Sequence, residues 1–153
     1  MVLRPHKTQF VIDNLPVMLS CIAALVYGGM ENMPFDTLAM TVALLLLAVL
    51  AYRFIYLRRM LYLIGQEQIV CKYGILCRNV DYMELYRIVD FRERQSLLQQ
   101  LFGLKTVSLL SMDRSMPRLD IIGVRRSNDI VPIIRERVEY NKRKKGIYEI
   151  ANH

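Results

Sequence analysis

The segment LAMTVALLLLAVLAYRFIYL, residues 38–57, carries no charged side chain before Arg53. Its apolar residues lie on every face of a helix, so a helix formed here has no polar side. About 20 residues that rise about 1.5 Å each are enough to cross a hydrocarbon core of about 30 Å. The segment therefore predicts a transmembrane helix, and the alternative is a buried core helix of a soluble protein.

Aromatic and cationic side chains follow at the C-terminal end of this segment. Tyr52 and Tyr56 come first, and Arg58 and Arg59 close it. Such a collar is typical of the point where a helix leaves the membrane. The stem of Arg53 can lie along the helix while its guanidinium reaches the head groups. We expect Arg53, Arg58 and Arg59 to contact the membrane surface.

A second uncharged segment, LPVMLSCIAALVYGGM at residues 15–30, precedes the first and extends to a span over residues 12–30. Pro16 lies near its start, where a missing amide proton is tolerated. The connector at residues 31–36 is short and contains Pro34. Together the spans at 12–30 and 38–57 predict a helical hairpin over residues 1–59. A cleaved signal peptide and a lipoprotein site at Cys21 are the alternatives for the first segment.

The distribution of cations predicts the orientation of this hairpin. No Lys or Arg occurs between Lys7 and Arg53, whereas Arg4 and Lys7 precede the hairpin and three arginines close it. Cytoplasmic segments that flank membrane spans are enriched in Lys and Arg. We therefore expect both termini on the cytoplasmic side and the connector on the outer side.

Downstream of the hairpin the apolar pattern changes to the alternation of β-strands. A turn at Gly65 and Gln66 joins the first two strands, and a helical turn is predicted at residues 96–102, ending at Gly103. The strands are predicted at residues 61–64, 68–73, within 75–86, and at 88–95, 105–110 and 119–124. In the strand 88–95, Val89, Phe91 and Glu93 are expected on one face.

An amphipathic helix is predicted after the last strand. Asn128 or Asp129 can cap it, and Ile130, Ile134 and Val138 recur at helical spacing. Six strands and one terminal helix are typical of a small α+β or barrel-like domain. We place this domain at residues 60–146, with residues 147–153 as a tail.

Four segments carry a resemblance to a known family. They are the hairpin, YLIGQEQIVCKYGILCRN, ELYRIVDFRERQSLLQQLFGLKTVSLLS and LDIIGVRRSNDIVPII. Together they resemble the second family of bacterial pleckstrin-homology-like (PH-like) domains, which are usually membrane-anchored. The resemblance implies an α+β membrane protein: a two-helix transmembrane hairpin followed by a curled β-sandwich or barrel, capped by a C-terminal α-helix. The family usually has Thr at the position of Gly65, and often Arg and Leu at those of Gln100 and Phe102.

The resemblance implies no catalytic residue. Eukaryotic PH domains that bind phosphoinositides use basic residues in the loop of the first strand pair. The corresponding loop here, Gly65, Gln66 and Glu67, contains no cation. Inositide binding is therefore not implied, because the fold alone does not supply a site.

The residues needed for catalysis or metal binding are not clustered in the sequence. The two histidines, His6 and His153, lie near opposite ends of the chain, and its glycines form no phosphate-binding loop. Cys71 and Cys77 do not have zinc-site spacing, and thiols in a reducing compartment account for the three cysteines. We expect no enzyme activity, no cofactor and no metal.

The basic side chains are the remaining candidates for function. The formal charge is +7, from 21 Lys and Arg against 14 Asp and Glu. A basic domain beside a bilayer favours contact with anionic lipid. Nucleic acid is not expected, because the tyrosines are spaced like core residues of strands instead of stacking platforms. The candidate membrane-surface or anionic-lipid contacts are Arg53, Arg58, Arg59, Arg125, Arg126, Lys142, Arg143, Lys144 and Lys145.

The sequence thus predicts a multi-pass protein of the bacterial cytoplasmic membrane. Its expected role is binding, with a protein partner or a second copy of the chain docking on the domain at sheet edges or in the groove between the last strand and the terminal helix. Small residues such as Ala23, Ala24 and Ala43 permit close helix packing. Recognition of anionic lipid or of membrane stress by the basic surface is the alternative.

Overall fold

A computed structural model describes residues 1–30 and 34–147. Two long helices precede a domain of short strands, and one helix follows it. The helices are α1 Lys7–Gly28, α2 Asp36–Arg59, α3 Leu97–Leu101 and α4 Ile130–Lys144. The strands are β1 Val2–Leu3, β2 Leu61–Ile64, β3 Gln68–Tyr73, β4 Asn79–Glu84, β5 Ile88–Arg94, β6 Leu104–Ser111 and β7 Arg118–Arg125, and a 3₁₀ turn spans Leu85–Arg87.

Helices α1 and α2 pack side by side and leave most of their apolar surface uncovered. They contain 22 and 24 residues, and the most apolar 18-residue stretch of each has a mean hydropathy of 1.8 and 2.3, respectively. Only 11% and 6% of those two stretches are buried. The helices approach closely at Gly28, where an added Cβ would lie 3.0 Å from the Met40 backbone nitrogen. Both are long and apolar enough to cross a membrane. Each extends beyond its predicted span, because α1 begins at Lys7 and α2 continues to Arg59.

The strands form two antiparallel sheets. One sheet has the order β1-β2-β3-β4 and the other has the order β5-β6-β7. The predicted strands, the helical turn and the terminal helix are confirmed, with boundaries that differ by a few residues. Closure of the strands into a barrel is wrong, because the two sheets remain separate.

The first strand is a feature that the sequence analysis does not predict. Val2 pairs with Leu63 and Leu3 pairs with Tyr62, so the N-terminal residues form the edge of the first sheet. His6 then donates its backbone N–H to the Gly123 carbonyl at 2.9 Å, directly before α1 begins. Both ends of the helix pair are therefore joined to the β domain.

The core lies between the two sheets and is sealed by α4. Ile69 comes from the first sheet, Val107 and Ile121 come from the second, and Ile130 and Ile134 come from α4. All five side chains are fully buried. Apolar side chains alternate with polar ones along the strands, so each sheet has one apolar face. The helical spacing of the apolar residues of α4 gives a third apolar face, and the three faces meet in the core.

Polar contacts fix the C-terminal half of α4 against the turn between β2 and β3. Arg137 donates through Nη1 to the carbonyls of Ile64 and Gly65 at 2.9 and 2.7 Å. Asn141 donates through Nδ2 to the Gln66 carbonyl at 2.6 Å. The Gly65 and Gln66 carbonyls of the short turn thus gain partners, and the Ile64 carbonyl accepts from Arg137 in addition to the Met1 nitrogen, so α4 is held along one defined side of the domain.

Candidate functional site

A groove of about 440 Å³ runs between β5 and α4. Ile88, Val89 and Phe91 line it from the strand, and Val138 and Ile147 line it from the C-terminal side. Ile88 and Val138 are buried, whereas Val89 and Ile147 are exposed. The groove therefore presents apolar side chains at the open surface of the domain.

Strand β5 is an edge strand with an irregular register. It pairs with β6 on one side, and no strand within the described residues pairs with its other side. A register shift between Ile88 and Asp90 leaves Val89 without a partner on β6. This bulge interrupts the regular alternation that the sequence predicts for Val89, Phe91 and Glu93. An edge strand carries backbone donors and acceptors that can pair with an added strand.

The α4 side of the groove is basic. The Arg135 guanidinium lies 5.5 Å from the centroid of the Phe91 ring, close enough for a cation–π contact. Lys142 and Arg143 line the groove further along the helix. Glu139 is the one acidic residue that α4 contributes to this lining, and its carboxylate lies 3.9 Å from Arg143. The α4 wall therefore favours an occupant that brings negative charge, while Asp90 on the strand side opposes it.

Lys144, the last residue of α4, and Lys145 directly after it lie near the turn between β2 and β3. Lys144 Nζ lies 2.7 Å from the Glu67 carboxylate, and this hydrogen bond, with the charge of the lysine, lowers the pKa of Glu67. The Lys145 ammonium lies 3.7 Å from the centroid of the Tyr86 ring. Because this turn follows the end of β2 remote from α2, Lys144 and Lys145 lie away from the base of the helix pair.

Another basic cluster surrounds the end of α2. Arg58 and Arg59 form its last turn, and Arg59 lines a hollow of about 220 Å³ together with Lys72 and Arg78. Sequence reasoning did not select Lys72 or Arg78, because they lie on different parts of the β3–β4 hairpin. Only the pairing of β2 with β3, and of β3 with β4, brings them beside Arg59.

The other predicted basic residues have separate environments. Arg53 donates through Nη1 to Asn14 Oδ1 at 2.9 Å, which joins α2 to α1. Arg125 Nη2 lies 3.3 Å from His6 Nε2. Arg126 follows β7 directly, and its backbone N–H donates to the Gly103 carbonyl. The nine candidate cations thus occupy several places, and contact with lipid stays a prediction for each.

The described residues contain no cluster of three or more His, Cys, Asp or Glu that could hold a metal ion. Cys21 and Cys71 are buried thiols, and Cys77 is exposed. Burial, with a smaller contribution from Asp81, raises the pKa of Cys71 to about 11, so this thiol is protonated at neutral pH.

The comparison with protein families matches this architecture. A family model described as a bacterial PH domain matches residues 11–138, from the first turns of α1 to the middle of α4. The chain belongs to the bacterial PH domain family. The match covers most of α1, all of α2 and the strands β2 to β7, so it confirms the resemblance inferred from the sequence. Searches of curated proteins and of solved structures find no match.

PH-like domains generally act as binding or interaction modules, and the groove of this PH domain has the features that such a role requires. An extended peptide can add a strand to an exposed sheet edge, where backbone bonds give affinity and side-chain pockets give specificity. Here the edge of β5, the apolar groove and the basic wall of α4 lie together.

Proposed function

We propose that the chain is a membrane-anchored, non-enzymatic PH domain that binds an extended segment of a protein partner in the groove between β5 and α4. The free edge of β5 beside an apolar groove is the observation that supports this function. A bound segment lies about 4.8 Å from β5 and bonds to its backbone. Alternate side chains of the segment contact Val89 and Phe91, and acidic side chains face Arg135.

The anchor in this proposal is the pair α1 and α2, which cross the bacterial cytoplasmic membrane. Their uncovered apolar faces support this placement. The pairing of β1 with β2 keeps the two chain ends of the hairpin at one domain, so that both lie on the same side of the bilayer. The cations that flank the hairpin support a cytoplasmic position for that side.

This topology predicts opposite labelling of two engineered cysteines in spheroplasts. Both variants carry Cys77→Ser, because Cys77 is the exposed native thiol among the described residues. Met112→Cys, in the β6–β7 loop and 80% exposed, is expected to react with a membrane-impermeant maleimide only after lysis. Phe35→Cys, which is 75% exposed and precedes α2, is expected to react in intact spheroplasts. The reverse pattern would place the PH domain outside the cytoplasm.

The groove predicts an effect of Val89→Lys on peptide binding. A random peptide library is selected on the detergent-solubilised full chain, and affinities of the selected peptides are measured for each variant. The new ammonium introduces an unpaired charge into the apolar contact, so we expect at least about tenfold weaker binding, or about 1.4 kcal/mol. Ile133→Lys is the matched control, because Ile133 is similarly exposed on α4 but does not line the groove.

Hydrogen exchange provides a second readout of the same proposal. Strand addition is expected to slow exchange of β5 amides when the selected peptide binds, since those amides gain hydrogen-bond partners. Equal binding by Val89→Lys and the parent chain, or protection confined to other elements, would contradict the groove assignment. Protection that rises with protein concentration without peptide would indicate that a second copy of the chain is the partner.

A further inference from the structure

Two groups of exposed apolar side chains lie on either side of the base of the helix pair. Leu76, at the β3–β4 turn, is 93% exposed. Leu97 and Leu101, on α3, are 84% and 77% exposed, and Phe102 beside them is 50% exposed. The neighbouring side chains of Leu97, Leu101 and Phe102 form an exposed apolar group of the kind that marks an interaction surface.

Helix α3 is attached directly to the first turns of α1. Gln99 donates through Nε2 to Gln9 Oε1 at 3.0 Å, and both side chains are buried. The same amide group lies 3.0 Å from Thr106 Oγ1, and Gln99 forms a capping box with Ser96. These bonds fix the polar side of α3 against α1 and β6.

The apolar side of α3 remains uncovered. Leu97 and Leu101 are four residues apart, so they share one face of the helix. Gln99 is two residues from each leucine, or about 200° around the helix, so the face that Leu97 and Leu101 share points away from the contact with Gln9. Because that contact holds α3 beside the first turns of α1, both leucines lie at the level where the chain enters the hairpin. Leu97 and Leu101 therefore lie at the base of the helix pair.

The turn between β3 and β4 that carries Leu76, here called the Leu76 turn, contacts the end of α2. Tyr73, the last residue of β3, has its ring centroid 6.4 Å from that of Tyr56 in α2. Arg59, Lys72 and Arg78 surround the base of the turn. An exposed leucine next to several cations fits the interface of a bilayer. The leucine can contact acyl chains, and the cations can contact anionic head groups.

We propose that the Leu76 turn and the Leu97–Leu101 face of α3 insert into the anionic bilayer surface that the hairpin crosses, so that the PH domain is held flat on the membrane. This inference rests on the proposed membrane anchoring. Continuity with α1 and α2 favours the bilayer as the occupant, because both apolar groups adjoin the ends of helices that enter it. The cations beside Leu76 favour anionic lipid.

The test uses the full chain with Cys77→Ser, reconstituted as one copy per nanodisc of phosphatidylglycerol and phosphatidylethanolamine. Spin labels are attached at Leu76→Cys and at Leu101→Cys, on the two inserted groups. Leu44→Cys, on the uncovered surface of α2, reports whether the hairpin spans the bilayer. Met112→Cys, beyond the far end of β6, is the control for an exposed site in water.

We expect the ratio of oxygen to nickel-chelate accessibility at residues 76 and 101 to exceed that at residue 112 by at least about threefold, since oxygen concentrates in the bilayer and the chelate in water. If residue 44 is lipid-exposed while residues 76 and 101 have the same accessibility as residue 112, the proposed insertion of the PH domain is wrong. The proposed anchoring by α1 and α2 is then still supported. If residue 44 also reports water, the proposed anchoring itself fails.

Two further measurements identify what covers the two apolar groups. In discs of neutral phosphatidylcholine the label at residue 76 is expected to lie shallower than in anionic discs, because the surrounding cations lose their counter-charges. Equal depth would overturn the assignment to anionic lipid. Shielding from both reagents, with spin–spin broadening that grows when discs hold several copies, would assign these faces to a second copy of the chain and overturn the bilayer assignment.

Discussion

Gly123→Ala is expected to lower the free energy of unfolding by about 2–4 kcal/mol and to loosen α1 from the second sheet. Gly123 has φ of 64° within β7, a left-handed conformation that costs other residues about 1–2 kcal/mol. An added Cβ would lie 3.0 Å from Gln9 Cβ and 3.2 Å from the His6 backbone nitrogen. Neither atom is the far end of a flexible side chain, so the backbone itself must shift.

Gly103→Ala separates the two causes of the lower free energy of unfolding, which are the left-handed backbone conformation and the contact with α1. Gly103 has almost the same φ, 63°, but an added Cβ there meets no described atom within 4 Å. We therefore expect this variant to lose only the conformational part, about 1–2 kcal/mol. Denaturant unfolding of the solubilised chain can be followed by tyrosine circular dichroism, because the chain has nine tyrosines and no tryptophan. Equal losses in both variants would show that contact with α1 contributes nothing.

Tyr62→Ala is expected to destabilise the PH domain by about 3–5 kcal/mol, since it removes a large side chain from the core. Tyr62 is only 1% exposed, and its hydroxyl donates to the Asp120 carbonyl at 2.9 Å. The side chain thus links β2 of the first sheet to β7 of the second. Burial raises the pKa of its hydroxyl, which therefore stays protonated and able to donate well above neutral pH.

Two variants test the role of Tyr62. Tyr62→Phe keeps the ring and loses the bond to Asp120, so we expect a smaller loss of about 1–3 kcal/mol. Tyr82→Ala removes a tyrosine that is 58% exposed on β4, and it is expected to cost less than about 1 kcal/mol. These losses are measured by the same denaturant unfolding. A loss at Tyr82 as large as that at Tyr62 would contradict the proposed link between the sheets.

Much of the fold could be predicted from the sequence because its signals are local. Uncharged segments, alternating strands and the helical spacing of Ile130, Ile134 and Val138 each lie within one short segment. Strand β1 could not be predicted, since two residues carry no periodicity and Val2 and Leu3 gain a partner only from β2. The separation of the two sheets also depends on long-range pairing, which no single segment records.

Less of the candidate site than of the fold could be predicted from the sequence. Sequence identified the basic residues of α4, and the structure places Lys142 and Arg143 on the groove. The opposite wall is formed by β5, whose bulge at Val89 has no clear signal in an alternating pattern. The cluster of Arg59, Lys72 and Arg78 likewise exists only after the hairpin of β3 and β4 has formed.

The pairing of β1 with β2 has a consequence for biogenesis. Leu3 and Tyr62 are neighbours in the sheet, yet the whole helix pair lies between them in the chain. During synthesis, β1 is made before the helix pair and has no partner until α1, α2 and β2 have emerged from the ribosome. The edge of the first sheet can therefore be completed only after residues 7–59 have been made, so a failure of the helix pair to assemble leaves β2 without its outer strand.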